Sequence, residues 1–175
     1  MASIGDPTVV LVPDDSLAAV SELYRHHWLG LVRLAVLVVD DRQSAEDVVQ
    51  EAFTGLYRRW PLKDSDKALS YLRAAVLNGS RSVLRRRRVA RLYTPPAERP
   101  NSSAESAAVV GEDRREVQQA LQALPTRTRE VLVLRYYLDL AHAEIAQILG
   151  ISESTARATA SRGIAILTDK LKELR

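Results

Sequence analysis

Between Arg81 and Arg91 the chain places six arginines and no acid: Arg81, Arg85, Arg86, Arg87, Arg88 and Arg91. Guanidinium groups in such a run neutralise phosphates and release counterions, which gives salt-dependent affinity without sequence preference. Asn78, Arg81, Arg85 and Arg88 project from roughly one side of a helix, and asparagine adds a group able to hydrogen-bond a base edge or a sugar. A basic helix end that only complements the macrodipole needs one or two such charges. Six in eleven residues favour a nucleic acid instead.

A second candidate lies near the C-terminus, where the stretch from Ala141 to Arg157 reads as a helix-turn-helix. Ile145, Ala146 and Leu149 are expected to pack inward. Gly150 permits the tight turn, Ile151 plugs the angle, and Ser152 caps the following helix. On that second helix Ala156, Ala160, Gly163, Ile164 and Leu167 should face the core. Ser154, Thr155, Arg157, Ala158, Ser161 and Arg162 should face out near the helix N-terminus, the part such motifs insert into the major groove. Arginine suits guanine, and serine serves a base or a phosphate.

The third candidate is acidic. Five acids stand against one arginine between Asp40 and Glu51. On a helix, Val49, Ala52, Phe53, Leu56 and Trp60 form a core stripe, while Asp47, Gln50, Glu51 and Thr54 form the opposite face. An acidic face in one place and a basic one in another imply two different partners, one basic and one polyanionic.

Catalysis has little to work with. His26, His27 and His142 are the only histidines, and none has the partners of a triad or the spacing of a metal site. There is no cysteine and no glycine-rich phosphate loop. The expectation is a protein that is not an enzyme and needs neither cofactor nor metal. The longest apolar run, Leu34–Val39, is far too short to span a membrane, and the absence of cysteine suits a reducing cytoplasm.

The elements that must position these groups are all helical. Residues 1–15 read as a mobile tail. Ser16–Val39 repeats apolar residues at helical spacing (Val20, Tyr24, Leu31, Ala35, Val38), although its valine-rich end could pass for a strand. Ser44 is expected to cap a second helix that Pro61 stops, and Ser65 or Asp66 to open a third that runs to about Arg91. That third helix should bury Leu72, Ala75, Val76, Gly79 and Val83. Pro95, Pro96 and Pro100 then sit in a polar stretch, so 93–111 reads as a flexible linker. Four further helices are expected at roughly 112–123, 127–138, 142–149 and 153–173. The fold class is therefore all-α: two small helical domains, 16–92 and 112–175, joined by a flexible linker, the second a helix-turn-helix.

Taken in order, these motifs resemble an extracytoplasmic-function (ECF) RNA polymerase sigma factor, over nearly all of residues 16–175. Leu23–His27 with Leu31–Ala35 is similar to the family's opening helix, and Ala45–Phe53 to the segment that grips the polymerase clamp. Leu124–Tyr136 is similar to the characteristic stretch before the family's helix-turn-helix, and Thr159–Gly163 looks like the actinobacterial, SigE-like branch. The resemblance implies that Asp47, Gln50, Glu51 and Thr54 dock on the clamp of core RNA polymerase, with the flap as a further contact. It implies that the loop Leu62, Lys63, Asp64, Ser65 and Asp66 holds a flipped base of the promoter −10 element. Arg73, Asn78, Arg81, Arg85 and Arg88 would contact that element as it melts. Ser154, Thr155, Arg157, Ala158, Ser161 and Arg162 would read the −35 element of promoter DNA. An anti-sigma factor is a further candidate partner.

Departures limit the transfer. Tyr71 stands where many relatives have Trp, Ser82-Val83 replaces an Asp-Arg or similar pair, and Ala158 and Ala160 make the recognition helix thin, so promoter sequences cannot be borrowed. The competing reading is a helix-turn-helix regulator acting on duplex DNA alone, its N-terminal half sensing a ligand or dimerising. Against it, the chain has no obvious dimerisation heptad and carries a second basic helix.

Overall fold

The computed structural model describes residues 14–62, 64–93 and 112–173, and among them every regular element is helical. The chain order is α1 (Asp14–Val39), α2 (Arg42–Arg58), a 3₁₀ turn (Ser65–Lys67), α3 (Ala68–Tyr93), α4 (Glu112–Gln122), α5 (Thr126–Leu132), α6 (His142–Leu149) and α7 (Glu153–Glu173). The all-α class with a C-terminal helix-turn-helix is as expected. Of the expected linker 93–111 and tail 1–15, residues 94–111 and 1–13 lie outside the described residues, whereas Tyr93 still belongs to α3 and α1 already begins at Asp14.

Helices α1, α2 and α3 pack on one another through period-matched apolar faces. Leu31, Leu34, Ala35 and Val38 of α1 meet Ala45, Val49, Ala52 and Leu56 of α2 and Leu72, Val76 and Leu77 of α3, all buried. The valine-rich end of α1 is helical. Its tertiary neighbours, rather than the β propensity of valine, decide the state there. Tyr24 stays partly exposed, its ring stacked on Trp28 at 4.6 Å and edge-on to Phe53 at 5.0 Å.

The second group of helices packs α7 across α5 and α6. Ala156 and Ala160 are buried, and Gly163 lies so close to α5 that an added Cβ would sit 2.7 Å from Thr128 Cγ2 and 3.2 Å from both Leu132 methyls. Small residues on one face of α7 let the two backbones approach. The two groups share one continuous apolar core, with α1 touching α4 and α5 and α3 touching α6.

Four local expectations need correction. The cap of α2 is Asp41, not Ser44: Asp41 has an extended backbone (φ −152°, ψ 145°), and its carboxylate accepts from Ser44 N at 2.8 Å. The helix begins two residues earlier than Ser44 because Asp41 offers a better acceptor. The core face of α3 is also rotated. Ala68, Leu72, Val76, Leu77 and Ser80 are buried, whereas Ala75, Gly79 and Val83 are only half-buried. The expected helix 127–138 is divided, with α5 ending at Leu132 and a wider π turn following over Val133–Tyr137, closed by Leu138 N on Val133 O at 3.2 Å. Finally, Ile164 of α7 is 36 % exposed, because the helix faces α5 through Ala160 and Gly163 instead.

Candidate nucleic-acid and polymerase interfaces

The helix-turn-helix is built much as its residues dictate. Gly150 adopts φ 64°, ψ 41°, the left-handed conformation that lets α6 stop and the chain turn. Ser152 Oγ accepts from Thr155 N at 3.1 Å, capping α7, and also lies 2.7 Å from Thr155 Oγ1 and 3.0 Å from Ser154 Oγ. Ala156 and Ala160 point inward, while Ser154, Thr155, Arg157, Ala158, Ser161 and Arg162 are exposed on the opposite face. Arg157 pairs with Glu153 one turn back, at 2.9 Å. Both side chains are more than half exposed, so this pair is cheap to exchange for another partner.

The arginines of α3 stand in different surroundings. Arg85 and Arg88 are exposed and open to solvent-borne anions. Arg87 serves the fold: its guanidinium donates to Val39 O at 2.7 Å, to Ser44 Oγ at 2.8 Å and to the Asp41 carboxylate. Arg81 is engaged by the second group of helices, donating from Nε to Glu130 Oε1 at 2.6 Å and from its terminal amine to Asn78 Oδ1 at 2.9 Å. Arg73 is half-buried beside α6. Burial holds its guanidinium below its ordinary pKa, against the opposing pull of Glu144.

Asp47, Gln50, Glu51 and Thr54 form one exposed face of α2, as expected. Thr54 Oγ1 donates to Gln50 O at 2.9 Å. An open groove of about 510 Å³ separates this face from α3, lined by Glu51, Gly55, Tyr71, Asn78, Ser82 and Arg85 among others. The acidic and basic candidates therefore border the same groove. Tyr71 closes one end, its hydroxyl accepting from Arg59 at 3.1 Å.

The loop between α2 and α3 is partly ordered by its own acids. Asp64 Oδ1 accepts from Asp66 N at 3.2 Å, and Lys67 Nζ lies 3.0 Å from Asp64 Oδ2. The hydrogen bond from Lys67 holds the Asp64 carboxyl below its ordinary value. Leu62 packs partly against the core, Asp66 is exposed, and Ser65 begins the 3₁₀ turn. Lys63 lies outside the described residues.

Residues absent from the sequence reading form a polar seam between the two groups of helices: Gln118, Gln122, Arg129 and Glu130. A signal for two of them was present. Arg129 and Glu130 precede Val131–Leu134 without a break, inside a run where helical periodicity already calls for burial.

Residues 23–89 match the family described as Sigma-70 region 2, and residues 114–167 match Sigma-70, region 4. The RNA polymerase sigma-E factor of Streptomyces coelicolor is 31 % identical over 143 residues, covering 81 % of this chain and 80 % of that protein. The ECF RNA polymerase sigma factor SigM of Mycobacterium tuberculosis is 31 % identical over 150 residues, covering 85 % and 75 %. The chain belongs to the ECF RNA polymerase sigma factors. Among solved structures, CnrH in complex with the cytosolic domain of CnrY superposes with a TM-score of 0.66 at 26 % identity, covering 90 % of this chain and 95 % of that one. This sigma factor thus directs transcription from promoters as a non-catalytic subunit that binds core RNA polymerase and promoter DNA. The two region matches in sequence order decide against a free-standing helix-turn-helix regulator. No helix among the described residues is long and apolar enough to cross a membrane.

Proposed function

We propose a division of labour among three surfaces of this sigma factor. Asp47, Gln50, Glu51 and Thr54 on α2 dock on the clamp of the largest polymerase subunit, and the C-terminal helices rest on the flap. Leu62–Asp66 takes a flipped base of the −10 element, while Arg73, Asn78, Arg81, Arg85 and Arg88 follow the strand as it melts. Ser154, Thr155, Arg157, Ala158, Ser161 and Arg162 read the −35 duplex. The protein works in the cytoplasm, beside its polymerase and DNA. The likeness to CnrH, whose structure includes the cytosolic domain of CnrY, supports a further protein partner, which we take to be an anti-sigma factor.

The observation that carries this reading is the solvent-facing set on α7. A capped helix N-terminus presents serines and arginines outward, while alanines and a glycine hold the other side against α5. Duplex DNA is the partner that uses such a face. The polymerase assignment is tested with Gln50→Ala/Glu51→Ala. Both side chains are exposed, so the variant should melt like the parent, and each desolvated charge-assisted contact is worth about 1–3 kcal/mol. Weaker assembly with core polymerase is expected. Unchanged affinity in a normally folded variant removes α2 from the clamp interface.

A further inference from the structure

The last part of α3 projects from the bundle. Arg87 ties the helix to Val39, Asp41 and Ser44, and every residue beyond it, Arg88 to Tyr93, is exposed. At 1.5 Å per residue that end is about 9 Å long. Its composition is unusual for a solvated tip. Val89 is 48 % exposed, Leu92 76 % and Tyr93 84 %, at the i, i+3 and i+4 spacing that places them on one face. Arg87 lies roughly opposite that stripe on the helix, so the side that grips the bundle turns the apolar stripe outward.

Arginines frame the stripe. Arg85 continues it one turn back, Arg86 and Arg88 flank it, Arg91 lies further round, and all four are exposed. Arg86 shares a groove with Asp47 and Glu51, which meet part of its charge. Arg88 and Arg91 line neither that groove nor the larger one beside Tyr71. A promoter strand accounts for only part of this surface. Phosphates use the guanidinium groups, and an unpaired base can stack on Tyr93, but neither gains from exposed Val89 and Leu92.

We propose that the projecting end of α3 docks peripherally on an anionic phospholipid surface. A bilayer uses both halves of its chemistry. Val89 and Leu92 enter the acyl boundary, Tyr93 sits at the interface, and the arginine stems reach from the apolar layer back to the phosphates. The length fits, since interfacial helices bury their apolar face about 5–10 Å deep. So small a stripe gives weak, reversible attachment, to which each arginine adds roughly fivefold at an anionic surface. Arg85 and Arg88 are also assigned to the −10 strand, so membrane and promoter compete for the same end of the helix. The lipid contact goes beyond the promoter reading and does not depend on it.

The test is flotation of the full chain with vesicles of phosphatidylglycerol and phosphatidylcholine in equal parts, against vesicles of phosphatidylcholine alone, at physiological ionic strength. The chain should float with the first and not with the second. Leu92→Ser/Tyr93→Ser should lower partitioning onto the anionic vesicles on the order of tenfold, and Arg91→Ala roughly fivefold. Both variants should melt like the parent, because the sites are exposed. The double variant should also bind a fluorescent single-stranded oligonucleotide as the parent does. Equal recovery with the two kinds of vesicle overturns the lipid assignment. So does a double variant that floats as well as the parent, because the arginines alone then account for binding. If the double variant, melting normally, loses vesicles and oligonucleotide together, the apolar end belongs to nucleic acid and the membrane assignment falls.

Discussion

Arg87 and Asp41 are joined across 46 residues of sequence, the guanidinium on α3 gripping the carboxylate that caps α2. The same guanidinium also donates to the Val39 carbonyl at the end of α1 and to the Ser44 hydroxyl. One side chain in the middle of a basic run therefore ties three helices together at the sharp bend after α1, where Asp40 takes a left-handed φ of 63°.

Arg87→Ala should consequently cost stability while its neighbour does not. Losing hydrogen bonds to a charged donor and weakening a cap costs about 1–3 kcal/mol. For a chain of this size with one continuous core, each kcal/mol lowers the melting temperature by about 2–4 °C. Arg88→Ala, at an exposed site, should stay within about 0.5 kcal/mol of the parent. Thermal melts of the two variants decide the matter. If both melt like the parent, Arg87 belongs with the phosphate-binding arginines after all.

Asp41 and Glu130 should respond to pH in opposite senses. Burial pushes Asp41 up, but the Ser44 amide, Arg87 and the Ser44 hydroxyl together hold its carboxyl below the ordinary value. A depressed carboxyl contributes stability above its unfolded pKa, and that contribution is lost as pH falls through the folded pKa. Burial raises Glu130, and Arg81, Arg127 and Arg129 only partly offset it. A raised carboxyl contributes stability below its unfolded pKa, lost as pH rises through the folded one. Denaturation midpoints from acid to neutral pH should show Glu130→Gln gaining relative to the parent as pH rises. Arg87→Ala should lose least relative to the parent at the acid end. A constant offset across the range for both variants contradicts these shifts.

Gly163→Ala should destabilise the helix-turn-helix by about 1–3 kcal/mol, the usual cost of an overpacked methyl. Its Cβ would meet Thr128 Cγ2 at 2.7 Å. Thr128→Ser removes that methyl and should recover part of the loss, since contacting residues couple non-additively. Additive effects in the double variant, measured by denaturation, would mean that α7 shifts as a whole instead of clashing with α5.

Much of this architecture was legible in the sequence because its signals are local. Gly150, Ser152 and the Ala156–Ala160 spacing mark the helix-turn-helix within a few residues of one another, and the α2 stripe follows a single period. What was illegible depends on distant partners. Ser44 looks as good a cap as Asp41 until Arg87 arrives to hold the carboxylate. Val133–Tyr137 departs from the α-helical repeat for a single π turn, too short for periodicity to register. The seam joins Arg129 to Val38 across 91 residues and Arg81 to Glu130 across 49. Arg81 therefore reads as one more phosphate contact until its buried acid is seen.

The two exposed arginine sites should differ in the kind of energy they supply. Arg157 stands one turn into α7, paired with Glu153 on the surface, and under the proposed assignment it would reach a base edge. Arg157→Ala should remove about 1–3 kcal/mol of discrimination at one −35 position and relax preference there more than it weakens binding overall. Arg85 stands in a redundant run beside the α2–α3 groove, where phosphate or melted backbone is the fitting partner. Arg85→Ala should lower promoter opening evenly across −35 variants and reduce the salt slope by roughly one ion. Transcription by reconstituted holoenzyme on a library of −35 substitutions, at two salt concentrations, separates the two. Should Arg157→Ala weaken every −35 variant equally while Arg85→Ala changes the preferred base, the two helices have been assigned the wrong way round.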